Sequence, residues 1–169
     1  MTGTMEVFSP AIRSLDLSPI KFKLVVSHDG PMWSRTKTDE IEFLYRAFLQ
    51  LNLENPNVVI VPTKEVDEFW HNHILDTRKY AEDCDSIFGR FLHHFPYLGL
   101  RGDADEAALG IAFSDTCALF ETRFKNSLPK EGLASVCGGE CSSGCGGGNN
   151  IGAALTSTGQ SIDLVARPS

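Results

Sequence analysis

The apolar residues of segment 38–53 recur at three- and four-residue spacing, which is the period of one face of an α-helix. They are Ile41, Leu44, Tyr45, Phe48, Leu49 and Leu51. The same period returns in segments 66–75 and 104–127, whereas no segments alternate as paired strands do. The sequence therefore predicts an all-α fold, a compact bundle of about five helices.

Capping residues predict where the two central helices begin and end. Thr63 is expected to cap the helix of residues 66–75. Asp76 or Thr77 is expected to cap the next helix, which continues to Phe88 and stops at Gly89. The two helices are thus predicted to follow each other with almost no linker.

The remaining segments complete the predicted bundle. Residues 9–17 and 20–27 are expected to form two short helices, and the β-branched residues 58–61 an extended, half-buried segment. Asp103 and Glu106 have the spacing of a capping box at the start of the longest helix.

The chain is predicted to change character after Pro129. Many of its 15 glycines lie in the last third, together with serines and three cysteines. Such a composition cannot bury enough apolar surface to order itself. We therefore expect a helical domain over residues 1–129 and a flexible Gly/Cys/Ser-rich tail over residues 130–169.

Charge and hydropathy limit the binding partners and the cellular location that can be expected for this chain. The net charge of −7 disfavours nucleic acids and anionic membranes. No secretory signal is expected, because no basic segment is followed by an apolar core. No apolar run has the length of a membrane span. We expect a cytoplasmic protein whose cysteines are thiols or metal ligands, with another protein as its partner and no nucleotide or organic cofactor.

Residues 66–80 contain two of the five histidines. On a helix, His71 and His73 point about 200° apart and cannot readily bind one ion together. His73 falls within the apolar stripe beside Trp70, which favours a buried histidine with hydrogen-bonded ring nitrogens. Asp67 and His71 are neighbours one turn apart at the margin of that stripe.

A second pair of histidines, His93 and His94, is predicted to supply the residue that faces Asp67 and His71. Adjacent side chains diverge, so one of the two is expected to face His71. Asp67, His71 and that histidine would form a two-nitrogen, one-oxygen set for zinc or ferrous iron with open positions. The alternative is a polar network that ties two helices together. Cys84 would be a fourth ligand only if its face turned toward His71.

Two other residues of the segment have simpler expected roles. Asp76 is expected to cap a helix, and Tyr80 to pack in the core while its hydroxyl finds a hydrogen-bond partner. Neither needs a catalytic role.

Three tail cysteines, Cys137, Cys141 and Cys145, follow one another at four-residue spacing. Flexible thiolates bind soft metals, although three of them close a tetrahedral zinc site only with a fourth ligand. The tail could instead be the substrate of a modifying enzyme, or a linker with incidental thiols. The spacing is not that of a zinc ribbon or a thioredoxin-type pair.

Residues 66–80 read V-D-E-F-W-H-N-H-I-L-D-T-R-K-Y and are followed by Cys84, by Phe88-Gly89 and by H-H-F-P at 93–96. This pattern resembles the signature of the glycine-rich domain-containing-protein-like family. The resemblance extends to Trp33-Ser34 and to residues 42–49. Within residues 20–96 the W-H-x-H-x-x-D-T core is the most specific part. The resemblance implies a helical module loosely linked in plants to stress and developmental responses. It supplies no established reaction.

Three functions follow from these observations. The first is binding of a divalent transition metal through a His/Asp site on facing helices. The second is a protein-interaction or substrate-carrier module whose tail is modified or binds metal, with structural histidines. The third is a non-haem metal-dependent enzyme, which requires a pocket beside His71.

Overall fold

The computed structural model describes residues 5–27, 30–125 and 127, and over these residues the fold is all-α. A 3₁₀ turn, Met5–Val7, precedes six α-helices, and the described residues contain no strand. The helices are α1 (Pro10–Arg13), α2 (Ser18–Val26), α3 (Arg35–Glu54), α4 (Lys64–Leu75), α5 (Thr77–Phe88) and α6 (Asp103–Phe124). The predicted fold class is confirmed. The predicted tail, residues 130–169, lies outside the described residues.

Helix α3 is the centre of the bundle and contacts α1, α2, α4 and α6. Its predicted apolar stripe is buried. The closest packing is against α4, where the ring of Tyr45 lies 4.9 Å from that of Phe69 and the ring of Phe48 lies 4.8 Å from that of Trp70. This aromatic layer fixes the rotation of α4 about its axis. The edge of α4 that carries Asp67 therefore faces away from the core.

The ends of α4 and α5 largely follow the prediction. The hydroxyl of Thr63 accepts a hydrogen bond from the Val66 amide at the start of α4. Gly89 ends α5 in the left-handed conformation, with φ of 62°, which costs glycine little. Asp76 occupies the N-cap position of α5 but makes no side-chain capping bond, so that part of the prediction is wrong. The Asp76 amide instead donates to the His73 carbonyl.

The helices at the two ends of the domain differ more from the prediction. Only Pro10–Arg13 of segment 9–17 is helical, because the following turn directs Leu15 and Leu17 into the core. Helix α6 has Gly102 as its N-cap and no capping box. The carboxylate of Asp105 accepts instead from the amides of the preceding loop.

The segment between α3 and α4 is half buried, as predicted. Ile60 and Val61 are buried, whereas Val58 and Val59 are exposed. The Val61 amide donates to the hydroxyl of Thr116 on α6 at 3.0 Å, which fastens the segment to that helix. None of the described helices combines the length and apolar character that a membrane span requires.

Candidate metal centre

Asp67, His71 and His94 converge at the outer edge of α4. The first two lie one turn apart on α4, and His94 comes from the loop after α5. The prediction that the site lies on two facing helices is therefore wrong, because α5 ends at Phe88. One potential ligand atom from each residue lies within 4.8 Å of the others. The rings of His71 and His94 have centroids 4.5 Å apart. The structure thus brings together the carboxylate and two imidazoles that the sequence singled out.

The carboxylate of Asp67 lies between the two rings. Its Oδ1 is 3.0 Å from His94 Nε2, and its Oδ2 is 3.3 Å from His71 Nδ1. Two zinc bonds of about 2.0–2.1 Å at a tetrahedral angle place their ligand atoms about 3.3–3.4 Å apart. An ion therefore requires the Asp67–His94 pair to open by only a few tenths of an ångström.

The hydrogen bonding of His71 determines which of its ring nitrogens can bind an ion. Its Nδ1 lies 2.8 Å from the Asp67 carbonyl oxygen, so a protonated Nδ1 donates to that carbonyl. This bond leaves Nε2 with a free lone pair and orients the ring, as backbone carbonyls do for many metal-bound histidines. Its side chain is 48% exposed, so an ion can approach from solvent.

His94 is held against the core by Trp70. The centroids of their rings are 4.7 Å apart, and the His94 side chain is mostly buried. His93 points elsewhere: its exposed ring lies 4.9 Å from that of Phe91, outside the cluster. Cys84 is buried in the core and is not part of the cluster, so the condition for a fourth ligand is not met.

His73 is a core histidine, as predicted. It is 1% exposed, with Nδ1 2.8 Å from the Tyr45 hydroxyl and Nε2 2.9 Å from the Asp83 carboxylate. An ionised carboxylate only accepts, so Nε2 carries the proton and Nδ1 accepts from Tyr45. Burial raises the pKa of Tyr45, which keeps its hydroxyl a donor. The sequence did not identify Asp83, whose position depends on how α5 is rotated.

The stability of the protein is expected to fall at acidic pH because of His73. Burial lowers the pKa of His73, although the Asp83 carboxylate opposes this effect. As the pH falls below about 6.5, the unfolded chain therefore binds the proton before the folded chain does, and the free energy of unfolding decreases.

Urea unfolding at about pH 7.5 and about pH 5.5 tests this prediction. The decrease should be smaller in His73→Gln, whose amide retains a donor and an acceptor but does not titrate. Equal pH dependence in both proteins would contradict it.

A hydrogen-bond chain fastens the His94 loop to α4. The indole Nε1–H of Trp70 donates to the Tyr80 hydroxyl at 2.8 Å, and that hydroxyl donates to the Leu92 carbonyl at 2.6 Å. Tyr80 is thus buried and doubly partnered, as the sequence predicted. Because Leu92 precedes His94 by two residues, this chain sets where His94 lies.

Removing the Tyr80 hydroxyl is expected to reduce the free energy of unfolding by about 1–3 kcal/mol, since two buried polar groups lose their partner. Tyr80→Phe tests this in urea, with Tyr97→Phe as the matched control because Tyr97 is 60% exposed. Equal stability of the two variants would show that the chain contributes nothing.

A groove of about 460 Å³ opens beside the three residues. It runs between the segment before α4 and the loop after α5, and is also lined by Leu109 of α6. Asp67, His71 and His94 all line it, so an ion bound to them would face this space. The predicted tail thiols Cys137, Cys141 and Cys145 lie outside the described residues, and their roles stay predictions.

Comparisons with known proteins agree with the resemblance read from the sequence. The chain is 31% identical over 122 residues to Glycine-rich domain-containing protein 2 of Arabidopsis thaliana, covering 64% of this chain and 15% of that protein. The chain therefore spans a small part of that relative. No solved structure matches. The UCP032817-like family model matches residues 9–128. The chain belongs to the UCP032817-like family.

Proposed function

We propose that the protein binds one divalent transition-metal ion, zinc or ferrous iron, through Asp67, His71 and His94. The observation that supports this proposal is the convergence of one carboxylate oxygen and two imidazole nitrogens within 4.8 Å. Two histidines and one carboxylate suit both ions and leave further coordination positions open. Metal would replace the contact between Asp67 and His94 with two coordinate bonds.

The surroundings of the three residues favour binding over a purely structural network. A network that ties α4 to the loop is already formed by Trp70, Tyr80 and the Leu92 carbonyl. The Asp67–His94 contact is not needed for that connection, and its outer side is open to the groove. A cluster that served packing alone would gain nothing from the exposed ring of His71.

The experiment that tests this proposal measures metal stoichiometry. Chelator-treated full-length protein is dialysed against Zn²⁺, or anaerobically against Fe²⁺, and the bound metal is determined by mass spectrometry. One ion per chain is expected. The same result is expected when Cys137, Cys141 and Cys145 are all replaced by serine. Metal binding that disappears in the serine variant would assign the ion to the tail and contradict the proposal.

A second candidate, a non-haem metal-dependent enzyme, is favoured by the groove. Catalytic metal sites keep an open position that faces a cavity, and small-molecule sites occupy about 300–1,000 Å³. The groove beside His71 has a volume in this range. Metal binding is the step that both functions share, so the stoichiometry experiment precedes any assay of a reaction.

A further inference from the structure

The groove beside the three metal-binding residues is mainly apolar. Among the described residues that line it, there is no lysine or arginine, and its polar members are Asn52, Asp67 and the three histidines, with the indole of Trp70. Its apolar members are Val58, Val59, Ile60, Val61, Pro62, Leu92, Phe95, Pro96, Leu98, Leu100 and Leu109. The walls thus offer burial to a hydrocarbon or aromatic body. The guanidinium of Arg101 lies 5.1 Å from the centre of the Phe95 ring, but it is already paired with Asp105.

The metal would be the source of positive charge in this groove. A divalent ion with one carboxylate and two neutral imidazoles retains a single net positive charge. One carboxylate on the ligand would neutralise that charge and fill an open position with oxygen, which both zinc and ferrous iron accept. A phosphate carries more charge and needs additional cationic donors, which the described lining does not supply.

The indole Nε1–H of Trp70 is not available to a ligand because it already donates to Tyr80. Several apolar side chains along the groove are well exposed, among them Val59 at 41% and Leu100 at 68%. A ligand body lying along them would remove this apolar surface from water, which is favourable at about 25 cal/mol per Å². The groove therefore combines one polar end with an extended apolar wall.

We infer that the groove binds monocarboxylic acids with an apolar body, the carboxylate on the metal and the body along the segment before α4. This inference rests on the proposed metal site. It specifies the chemical class of the ligand of that site. Carboxylates are expected to bind more tightly than phosphorylated compounds, and their binding is expected to need the metal.

Calorimetric titration of the zinc-loaded full-length protein with decanoate tests the inference, after the zinc content of the same sample has been measured. Binding of decanoate is expected to be at least about 100-fold tighter than that of acetate, because acetate lacks the body. It should weaken at least about 10-fold in chelator-treated protein, and decyl phosphate should bind more weakly than decanoate.

A pair of variants locates the body of the ligand. Val59→Asp places a negative charge on the exposed wall and should weaken decanoate binding at least about 10-fold while zinc content stays unchanged. Val26→Asp, at a similarly exposed position on α2 away from the groove, should leave it unchanged.

The titration distinguishes failure of the ligand inference from failure of the proposed metal site. A sample with zinc bound but no decanoate binding overturns the inference and leaves the metal site standing. Equal decanoate affinity with and without zinc, or tighter binding of decyl phosphate, also overturns it. A protein that takes up neither Zn²⁺ nor, anaerobically, Fe²⁺ contradicts the proposed function itself, and the inference fails with it.

Discussion

His94→Ala is expected to weaken zinc binding by more than about 100-fold. Replacement of residues that only orient a metal ligand lowers affinity by about 10–100-fold, so loss of one of three ligands should exceed that range. The remaining pair, Asp67 and His71, is adjacent on one helix and cannot enclose the ion from the loop side. Competition with a zinc-binding chromophore measures the change.

The adjacent histidine provides a matched control for this experiment. His93→Ala removes the same side chain from the same loop, but His93 lies against Phe91 and outside the cluster. Its zinc affinity should remain within about 3-fold of the wild type, because no ligand is lost. Equal losses in both variants would indicate a general disturbance of the loop rather than loss of a ligand.

Arg46→Ala is expected to reduce the free energy of unfolding by about 2–5 kcal/mol, because two buried carbonyls lose their donor at roughly 1–3 kcal/mol each. Arg46 is 4% exposed on α3. Its guanidinium pairs with Glu42 at 2.7 Å and donates to the carbonyls of Ile12 and Leu15. These bonds join the turn after α1 to the centre of the bundle.

The loss should be large because alanine leaves several polar groups without their donor. The two carbonyls would need water at a site that the guanidinium now fills, whereas Glu42 keeps its ion pair with Lys21 at 2.7 Å. Urea unfolding of Arg46→Ala measures the effect, and Arg90→Ala, at an exposed position, should change stability by less than about 0.5 kcal/mol. A change below about 1 kcal/mol for Arg46→Ala would contradict this account of the core.

Periodicity predicted the fold where a single face of a helix is buried. Helix α3 and helix α4 were predicted closely because their apolar stripes pack against each other. The pairing of Asp67 with His71 followed from their spacing of one turn. The α6 capping box failed because the helix begins one residue earlier than predicted, with Gly102 as its N-cap, so Asp103 lies inside the helix. The carboxylate that bonds to the preceding loop is that of Asp105.

The choice between His93 and His94 could not be predicted for a related reason. Neither lies in a helix, so no period relates them to α4. Their orientation depends on the bond from Tyr80 to the Leu92 carbonyl, a contact between α5 and the following loop that helical spacing does not encode. Asp83 was missed as the partner of His73 because the relative rotation of the two helices determines that contact.

X-ray absorption spectroscopy of the zinc-loaded full-length protein reports which atoms bind the ion, and so tests whether Asp67, His71 and His94 hold it. Nitrogen and oxygen ligands are expected at about 2.0–2.1 Å, with the outer-shell scattering of two imidazole rings. That scattering should decrease by one ring in His71→Ala if the variant still binds zinc. A ligand shell dominated by sulfur at about 2.3 Å, without imidazole scattering, would contradict the account.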